Sequence, residues 1–225
     1  MHTLTASERQ ILETIQQQSM LDQVLSWSAV NSGSGNLNGL AETANMLAEA
    51  FSVLPGEITL IDPEPVDRVL TDGSIKTVAH GQHLLVTVRA DAPTQLLFTG
   101  HMDTVFPADH EFQNWRWLED GALNGPGVAD MKGGISVMLA ALRAAELSGS
   151  LSRTGYQILI NSDEEVGSPS SAKLIAKLAQ NKLAALTYEP ALPDGTLAGA
   201  RGGSGNFSVI FSGLSAHAGR NPDDG

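Results

Sequence analysis

Tyr156-Gln-Ile-Leu-Ile-Asn-Ser-Asp-Glu-Glu165 is the stretch that decides the fold. A short, mostly apolar run of strand-forming residues passes directly into three acids, as a buried strand does where it reaches the rim of its sheet. On its N-terminal side an Ala/Leu-rich stretch from Gly133 to about Leu147 has helical character. On its C-terminal side a helix is expected from Pro169 to about Ala179, then a strand near Leu183 to Tyr188. Strands alternating with helices indicate a layered α/β fold. Farther upstream, Ile58 to Ile61, Leu84 to Val88 and Gln95 to Thr99 are expected strands, divided by Pro- and Gly-containing turns. Thr5-Ala-Ser-Glu8 forms a capping box opening a helix that carries Ile11, Leu12, Ile15 and, further on, Leu21, Val24 and Leu25. A second helix runs from about Gly39 to Phe51. Asn31-Ser-Gly-Ser-Gly-Asn36 is a loop by composition, and Asp62 to Asp72, with Pro63, Pro65 and four acids, is a surface excursion. The expected class is α/β, a mixed, mostly parallel sheet flanked by helices. After Thr196 the character shifts: Asn206-Phe-Ser-Val-Ile-Phe211 alternates polar and apolar residues like an open antiparallel strand. The division expected is therefore 1–196 and 197–225.

Composition narrows the function. The 225 residues include 25 acids against 13 Lys and Arg, a net charge of −12. That balance argues against a nucleic-acid partner, which needs clustered cations, and against an anionic membrane surface. Without cysteine there is no disulfide scaffold, thiolate metal site or cysteine nucleophile. The N-terminus has no basic segment followed by an apolar one, and no apolar run approaches the roughly 20 residues that span a bilayer. The expectation is an acidic, soluble, cytoplasmic protein.

Sites in α/β folds form at the carboxyl ends of strands, and four strands here run into ionisable residues. Leu96-Leu-Phe-Thr-Gly100 leads to His101 and Asp103, two apart and so facing the same side of an extended segment. Taken alone, such a pair is more often structural than metal-binding. Asp130 lies between Gly125-Pro-Gly127 and Gly133-Gly134; an Asp before a helix is usually an N-cap, but the glycines point to unusual torsions holding one carboxylate in place. Glu164 and Glu165 end the strand first quoted, where like charges repel unless a cation or proton sits among them. Glu189, in Thr187-Tyr-Glu-Pro190, ends the fourth. Together they supply one imidazole and several carboxylates, a set suited to Zn²⁺, Mn²⁺ or Co²⁺ and to a two-metal hydrolytic centre.

Gly100-His-Met-Asp-Thr-Val105, Gly127-Val-Ala-Asp-Met-Lys-Gly-Gly134, Asp163-Glu-Glu-Val-Gly-Ser168 and Tyr188-Glu-Pro190 resemble, in order, the successive signatures of the M20 family of metallopeptidases. That family includes glutamate carboxypeptidases, acetylornithine and succinyl-diaminopimelate deacylases and aminoacylases. The resemblance implies a zinc-exopeptidase-like catalytic domain, followed from 197 by the beginning of an α+β lid or dimerisation domain. It implies that His101 and Glu189 bind one ion, that Asp130 bridges two, that Glu165 binds the second, and that Zn²⁺ is the usual metal. By the same token Asp103 orients His101, and Glu164 is the general base that takes a proton from the activated water and returns it to the leaving amine. His217, in Gly213-Leu-Ser-Ala-His-Ala-Gly-Arg220, is expected to polarise the scissile carbonyl, often across a homodimer interface; by itself it is a turn histidine. The bond after Asp130 is expected to be cis. Glu rather than Asp at 189 implies a carboxypeptidase- or deacylase-like substrate, a small peptide or N-acyl amino acid with a free carboxylate.

The resemblance also implies a further histidine ligand of the second ion, which has no counterpart among His2, His80, His83 and His110; His83 and His110 are read as surface residues. One ion is therefore expected to bind well and the second weakly. The rival expectation is a truncated, catalytically inactive fragment that binds one ion and self-associates. Other classes fare worse: Gly202-Gly-Ser-Gly-Asn206 falls one residue short of a nucleophile elbow, and neither a P-loop lysine nor H-E-x-x-H is present.

Overall fold

The computed structural model describes residues 4–16, 19–199, 202–203, 205, 207–211 and 213–224. The capping box forms: the Thr5 backbone N–H and hydroxyl donate to Glu8 Oε2 at 2.6 and 2.8 Å, and the Glu8 N–H donates back to Thr5 Oγ1 at 3.2 Å. It opens α1 (Ala6–Gln16). The apolar residues from Leu21 onward belong to a separate helix, α2 (Met20–Ser28), rather than to a continuation of the first. Asn36 caps α3 (Leu37–Phe51) by accepting from the Gly39 N–H at 3.2 Å.

Five strands form the main sheet: β1 (Glu57–Ile61), β4 (His83–Val88), β5 (Thr94–His101), β8 (Thr154–Asn161) and β9 (Ala184–Thr187), in the order β1-β4-β8-β5-β9. It is mixed. β4 runs antiparallel to both β1 and β8, while β5 runs parallel to both β8 and β9. The parallel register sets His101 opposite Asn161 and Thr99 opposite Thr187, so the carboxyl ends of β5, β8 and β9 open on one rim. α4 (Gly133–Leu147) and α5 (Ala172–Leu178) supply the flanking helices in this half.

β8 is buried on both faces, which explains its nearly continuous apolar sequence. Tyr156, Ile158 and Ile160 point into the larger core with Leu40, Leu47 and Phe51 of α3 and Ile135 and Met138 of α4. Leu159, on the other face, meets Leu97 and Leu178. Each such fully buried side chain contributes about 1.5–3 kcal/mol, so β8 and α4 anchor the rim on which the ionisable residues sit.

Two short hairpins are additional to the expected strands. β2 (Val66–Val69) pairs with β3 (Ile75–Val78) inside and just beyond the excursion, and β6 (Arg116–Trp117) pairs with β7 (Leu123–Asn124). The first turns at Gly73 (φ 80°), where Asp72 Oδ1 accepts from the Ser74 N–H at 2.9 Å. Asp67, Arg68, Lys76 and Thr77 leave this hairpin exposed, so it carries none of the alternation that marks a core strand. Residues 207–211 alternate as expected yet form no strand: residues 208–211 lie near the turn of the first hairpin, but no described strand pairs with them in a ladder, and Phe207 and Phe211 are over nine-tenths exposed. Asn206 lies outside the described residues. No helix among the described residues is long and apolar enough to cross a membrane.

Candidate metal centre

His101 is the last residue of β5 and is 1 % exposed. Its Nδ1 faces Asp103, 3.0 Å from the backbone carbonyl and 3.4 Å from Oδ1. Its Nε2 faces the rim, 3.0 Å from Asp130 Oδ1, 3.6 Å from Glu189 Oε1 and 3.9 Å from Glu164 Oε2. Nδ1–H is directed at Asp103, so Nε2, facing a group of carboxylates, is the nitrogen that would take a metal ion in place of a proton.

Asp130 does not cap α4: Lys132 holds that position and makes no side-chain cap. Instead Asp130 sits in a broken turn over Val128–Lys132, with φ −118° and ψ 96°, and the Asp130–Met131 peptide is cis. Gly127 enters this turn at φ 66°, a left-handed torsion that suits glycine. Two buried residues then fix the turn from below. Met131 packs under β5, its sulfur accepting from the His101 N–H at 3.1 Å. Lys132 Nζ donates to the carbonyls of Trp27 and Val30, at 2.9 and 3.1 Å, at the end of α2. Burial of that ammonium pulls its pKa down to about 8. Glu189 follows β9 and is placed by close backbone contact, since a Cβ at Gly134 would collide with the Tyr188 carbonyl oxygen.

Glu164 and Glu165 begin a short 3-10 turn after β8. Their backbone N–H groups both donate to Asp103, at 3.1 Å to Oδ1 and Oδ2 respectively, and Ser34 Oγ donates to Oδ2 at 2.7 Å. Asp163, the third acid of the run, turns inward and is fully buried. It accepts five hydrogen bonds: Asn161 Nδ2 (3.1 Å) and Ser171 Oγ (2.7 Å) on Oδ1, and the Ser170 N–H (2.6 Å), Ser170 Oγ (2.8 Å) and Ser171 N–H (3.2 Å) on Oδ2. Burial alone would raise its pKa, but these bonds outweigh it and hold the carboxyl below the usual range.

His83 is not a surface residue. It is 1 % exposed, with the Ser162 N–H donating to Nδ1 at 3.3 Å and Nε2 lying 3.4 Å from Ser170 Oγ. Its burial depends on a loop about eighty residues away, which no local pattern in the sequence reveals. His110 is exposed, as expected.

The charge pattern calls for a cation. Burial disfavours a charged His101, yet hydrogen bonds and charge from Asp103 and Glu189 outweigh this and hold its pKa up at about 11. Burial, reinforced by the neighbouring carboxylates Asp130, Asp103 and Glu164, pushes Glu165 up to about 7. Burial likewise raises Glu164, with Glu189, Asp103 and Asp130 adding to it. Two overlapping sets have donor atoms mutually within 4.8 Å: His101, Asp130 and Glu165, and His101, Glu164 and Glu189. Tetrahedral ligands about 2.0–2.1 Å from zinc lie about 3.3 Å apart. The 3.0 Å spacing of His101 to Asp130 and its 3.6 Å spacing to Glu189 straddle that value, one in each set, so each set fits a divalent ion, whereas Asp130 and Glu189 do not fall together in either. His217 is not brought to the cluster. It is exposed in a turn, its Nδ1 accepting from the Gly219 N–H at 3.1 Å.

An α/β sheet with one imidazole and a ring of carboxylates at the carboxyl ends of its strands defines a candidate divalent-metal centre of hydrolase type. Residues 97–208 match the model of peptidase family M20/M25/M40. It is 28 % identical to carboxypeptidase G2 of Pseudomonas sp. (strain RS-16) over 197 residues, 87 % of this chain and 45 % of that protein. It is 34 % identical to succinyl-diaminopimelate desuccinylase of Helicobacter pylori (strain HPAG1) over 142 residues, 56 % of this chain and 34 % of the relative. The fold is similar to that of human carnosine dipeptidase 1, with TM-score 0.65 and 18 % identity over 82 % of this chain and 41 % of that one. An M20 family metallo-carboxypeptidase from Sulfolobus solfataricus gives TM-score 0.60 and 21 % identity over 79 % and 39 %. The chain thus spans less than half the length of each of these relatives.

Proposed function

We propose that this chain carries the metal-binding part of a metal-dependent hydrolase that cleaves a peptide or N-acyl amide bond beside a free carboxylate. The observation that supports this most is the convergence of Asp130, Glu189 and Glu164 on the Nε2 face of His101, with buried Asp103 behind its Nδ1. His101, Asp130 and Glu189 would hold one ion, and Asp130 with Glu165 would reach a second. Zn²⁺ suits this donor set, with Co²⁺ or Mn²⁺ as substitutes. When bound, the metal supplies a Lewis acid that polarises a carbonyl and eases ionisation of a water.

The protein's own groups do the rest. Asp103 accepts the Nδ1 proton of His101, fixing the tautomer and the ring's orientation. Glu164, whose carboxyl is more basic than usual, takes the water's proton as the new C–O bond forms. It then delivers that proton to the amine as the C–N bond breaks. His217, exposed and in neither donor group, would act on the carbonyl from a second subunit of a homodimer. The test is hydrolysis of N-acyl amino acids and C-terminal dipeptides with added Zn²⁺ or Co²⁺. Glu164→Gln is expected to lower kcat about 10²–10⁴-fold while retaining bound metal; full activity in that variant would overturn the assignment.

A further inference from the structure

The loop Asn31-Ser-Gly-Ser-Gly-Asn36 is polar, lies before the sheet begins, and is expected from composition only to connect two helices. In the fold it is clasped to the rim. The Thr104 N–H donates to the Ser32 carbonyl at 3.0 Å, the Ser34 N–H donates to the Thr104 carbonyl at 3.2 Å, and Gly33 forms a bridge with Thr104. Asn31 Nδ2 donates to the Phe106 carbonyl at 3.0 Å and to Gln113 Oε1 at 2.9 Å, while its Oδ1 accepts from Asn36 Nδ2 at 3.0 Å. The loop is therefore held independently of any one side chain, and Ser34 is presented to the back of the metal centre.

What Ser34 does there follows from how the Asp103 carboxylate shares its lone pairs. Oδ2 accepts from Ser34 Oγ and the Glu165 N–H; Oδ1 accepts from the Glu164 N–H and is the oxygen nearer His101 Nδ1. Filling Oδ2 with two donors fixes the rotation of the carboxylate plane and leaves Oδ1 turned to the imidazole. His101 Nδ1 donates to the Asp103 backbone carbonyl at 3.0 Å with Oδ1 of the same residue 3.4 Å away, so the carboxylate steers the ring by its charge beside that bond, and the hydroxyl that sets the carboxylate comes from nearly seventy positions upstream. We infer that Ser34 is a positioning residue for the metal centre: its hydroxyl orients Asp103 and, through Asp103, the His101 ligand. Groups that orient a metal-bound histidine in this way commonly affect affinity about 10–100-fold.

This inference rests on the metal-site reading above, and its test separates the two. Zn²⁺ affinity is measured by competition with a chromophoric chelator for the unaltered chain and for Ser34→Ala, Ser34→Thr and Asn31→Ala, alongside the melting temperature of each metal-free protein. Ser34→Ala is expected to bind Zn²⁺ about tenfold more weakly, and Ser34→Thr, which keeps a hydroxyl, to recover most of that loss. Asn31→Ala, which loosens the clasp without touching Asp103, is expected to lower the melting temperature more than the affinity. Equal affinity in the unaltered and Ser34→Ala chains overturns the role of Ser34 and leaves the metal site standing. A Ser34→Thr variant as weak as Ser34→Ala, or an Asn31→Ala variant with the same loss of affinity, also overturns it, because the loop's shape and not the hydroxyl would then be what matters. An unaltered chain that binds no Zn²⁺ overturns the metal-site reading itself.

Discussion

Asp163→Asn tests whether the turn carrying Glu164 and Glu165 is held by a buried charge. The five donors around Asp163 come from Asn161, Ser170 and Ser171. An asparagine must direct its own NH₂ at one group of them. Facing Oδ2's partners it would oppose two fixed backbone N–H groups; facing Oδ1's it would oppose only Asn161 Nδ2, since the Ser171 hydroxyl can turn to accept. The second orientation is cheaper: Asn161 Nδ2 keeps Ser168 Oγ and Ser171 Oγ as acceptors at 3.2 and 3.0 Å, the Ser171 hydroxyl proton loses its buried acceptor, at about 1–3 kcal/mol, and the remaining bonds fall from charge-assisted to neutral strength. Relief of the buried charge offsets part of this, leaving a net loss of about 3 kcal/mol. For a chain of this size that corresponds to roughly 6–12 °C in melting temperature. The pH dependence is a second check. Because the folded-state pKa is depressed, the stabilisation is complete above the unfolded value of about 4 and is lost as pH falls through the folded value. Thermal melts at neutral pH and at about pH 3 should therefore show a large gap between wild type and variant that narrows in acid. A variant that melts with the wild type at neutral pH, or a gap that persists undiminished in acid, would refute the reasoning.

Three further outcomes are expected. His83 is buried and its pKa is lowered, chiefly by burial, so its neutral form stabilises the fold above about pH 6.5 and that contribution is lost as pH drops below it; His83→Gln should flatten the stability profile across this window and leave the Asp163 window unchanged. Gly134→Ala places a methyl group against the Tyr188 carbonyl oxygen, so it should displace Glu189 and weaken Zn²⁺ binding well beyond the effect of Gly149→Ala, where a Cβ meets nothing; equal affinities for the two variants would count against this packing. Saturating Zn²⁺ should raise the melting temperature, with about 2.7 kcal/mol of stabilisation at a hundredfold excess over Kd, and a chelator should reverse it; an unchanged melt would show that the ion does not prefer the folded state.

The central half of the molecule was legible because its signals are local. β8 is apolar throughout since it is covered on both faces, and α4 and β5 announce themselves by composition and by the turn residues around them. His101, Asp103, Asp130, Glu164, Glu165 and Glu189 could be picked out because each closes a strand or lies among glycines. The parallel register that brings them together, His101 beside Asn161 and Thr99 beside Thr187, is a property of the sheet and not of any one segment. The supporting residues were hidden for that reason. Ser34 and Asp103 meet only once the N-terminal loop is clasped to β5's end; Asp163 is indistinguishable in the sequence from its exposed neighbours, although the hydroxyls of Ser170 and Ser171 were a clue to what it binds. Residues 207–211 mark the opposite failure: alternation defines a strand's two faces, but a strand also needs a partner for its backbone.

The most direct measurement is the metal content of the purified chain after loading with Zn²⁺ and exhaustive dialysis, repeated for His101→Ala and Asp130→Asn. On the proposed reading, His101, Asp130 and Glu189 would hold one ion, and among the described residues Asp130 and Glu165 would remain for a second. The account predicts one tightly held ion per chain and loss of that ion in both variants. No retained ion, two tightly held ions, or an ion that survives both substitutions would contradict it.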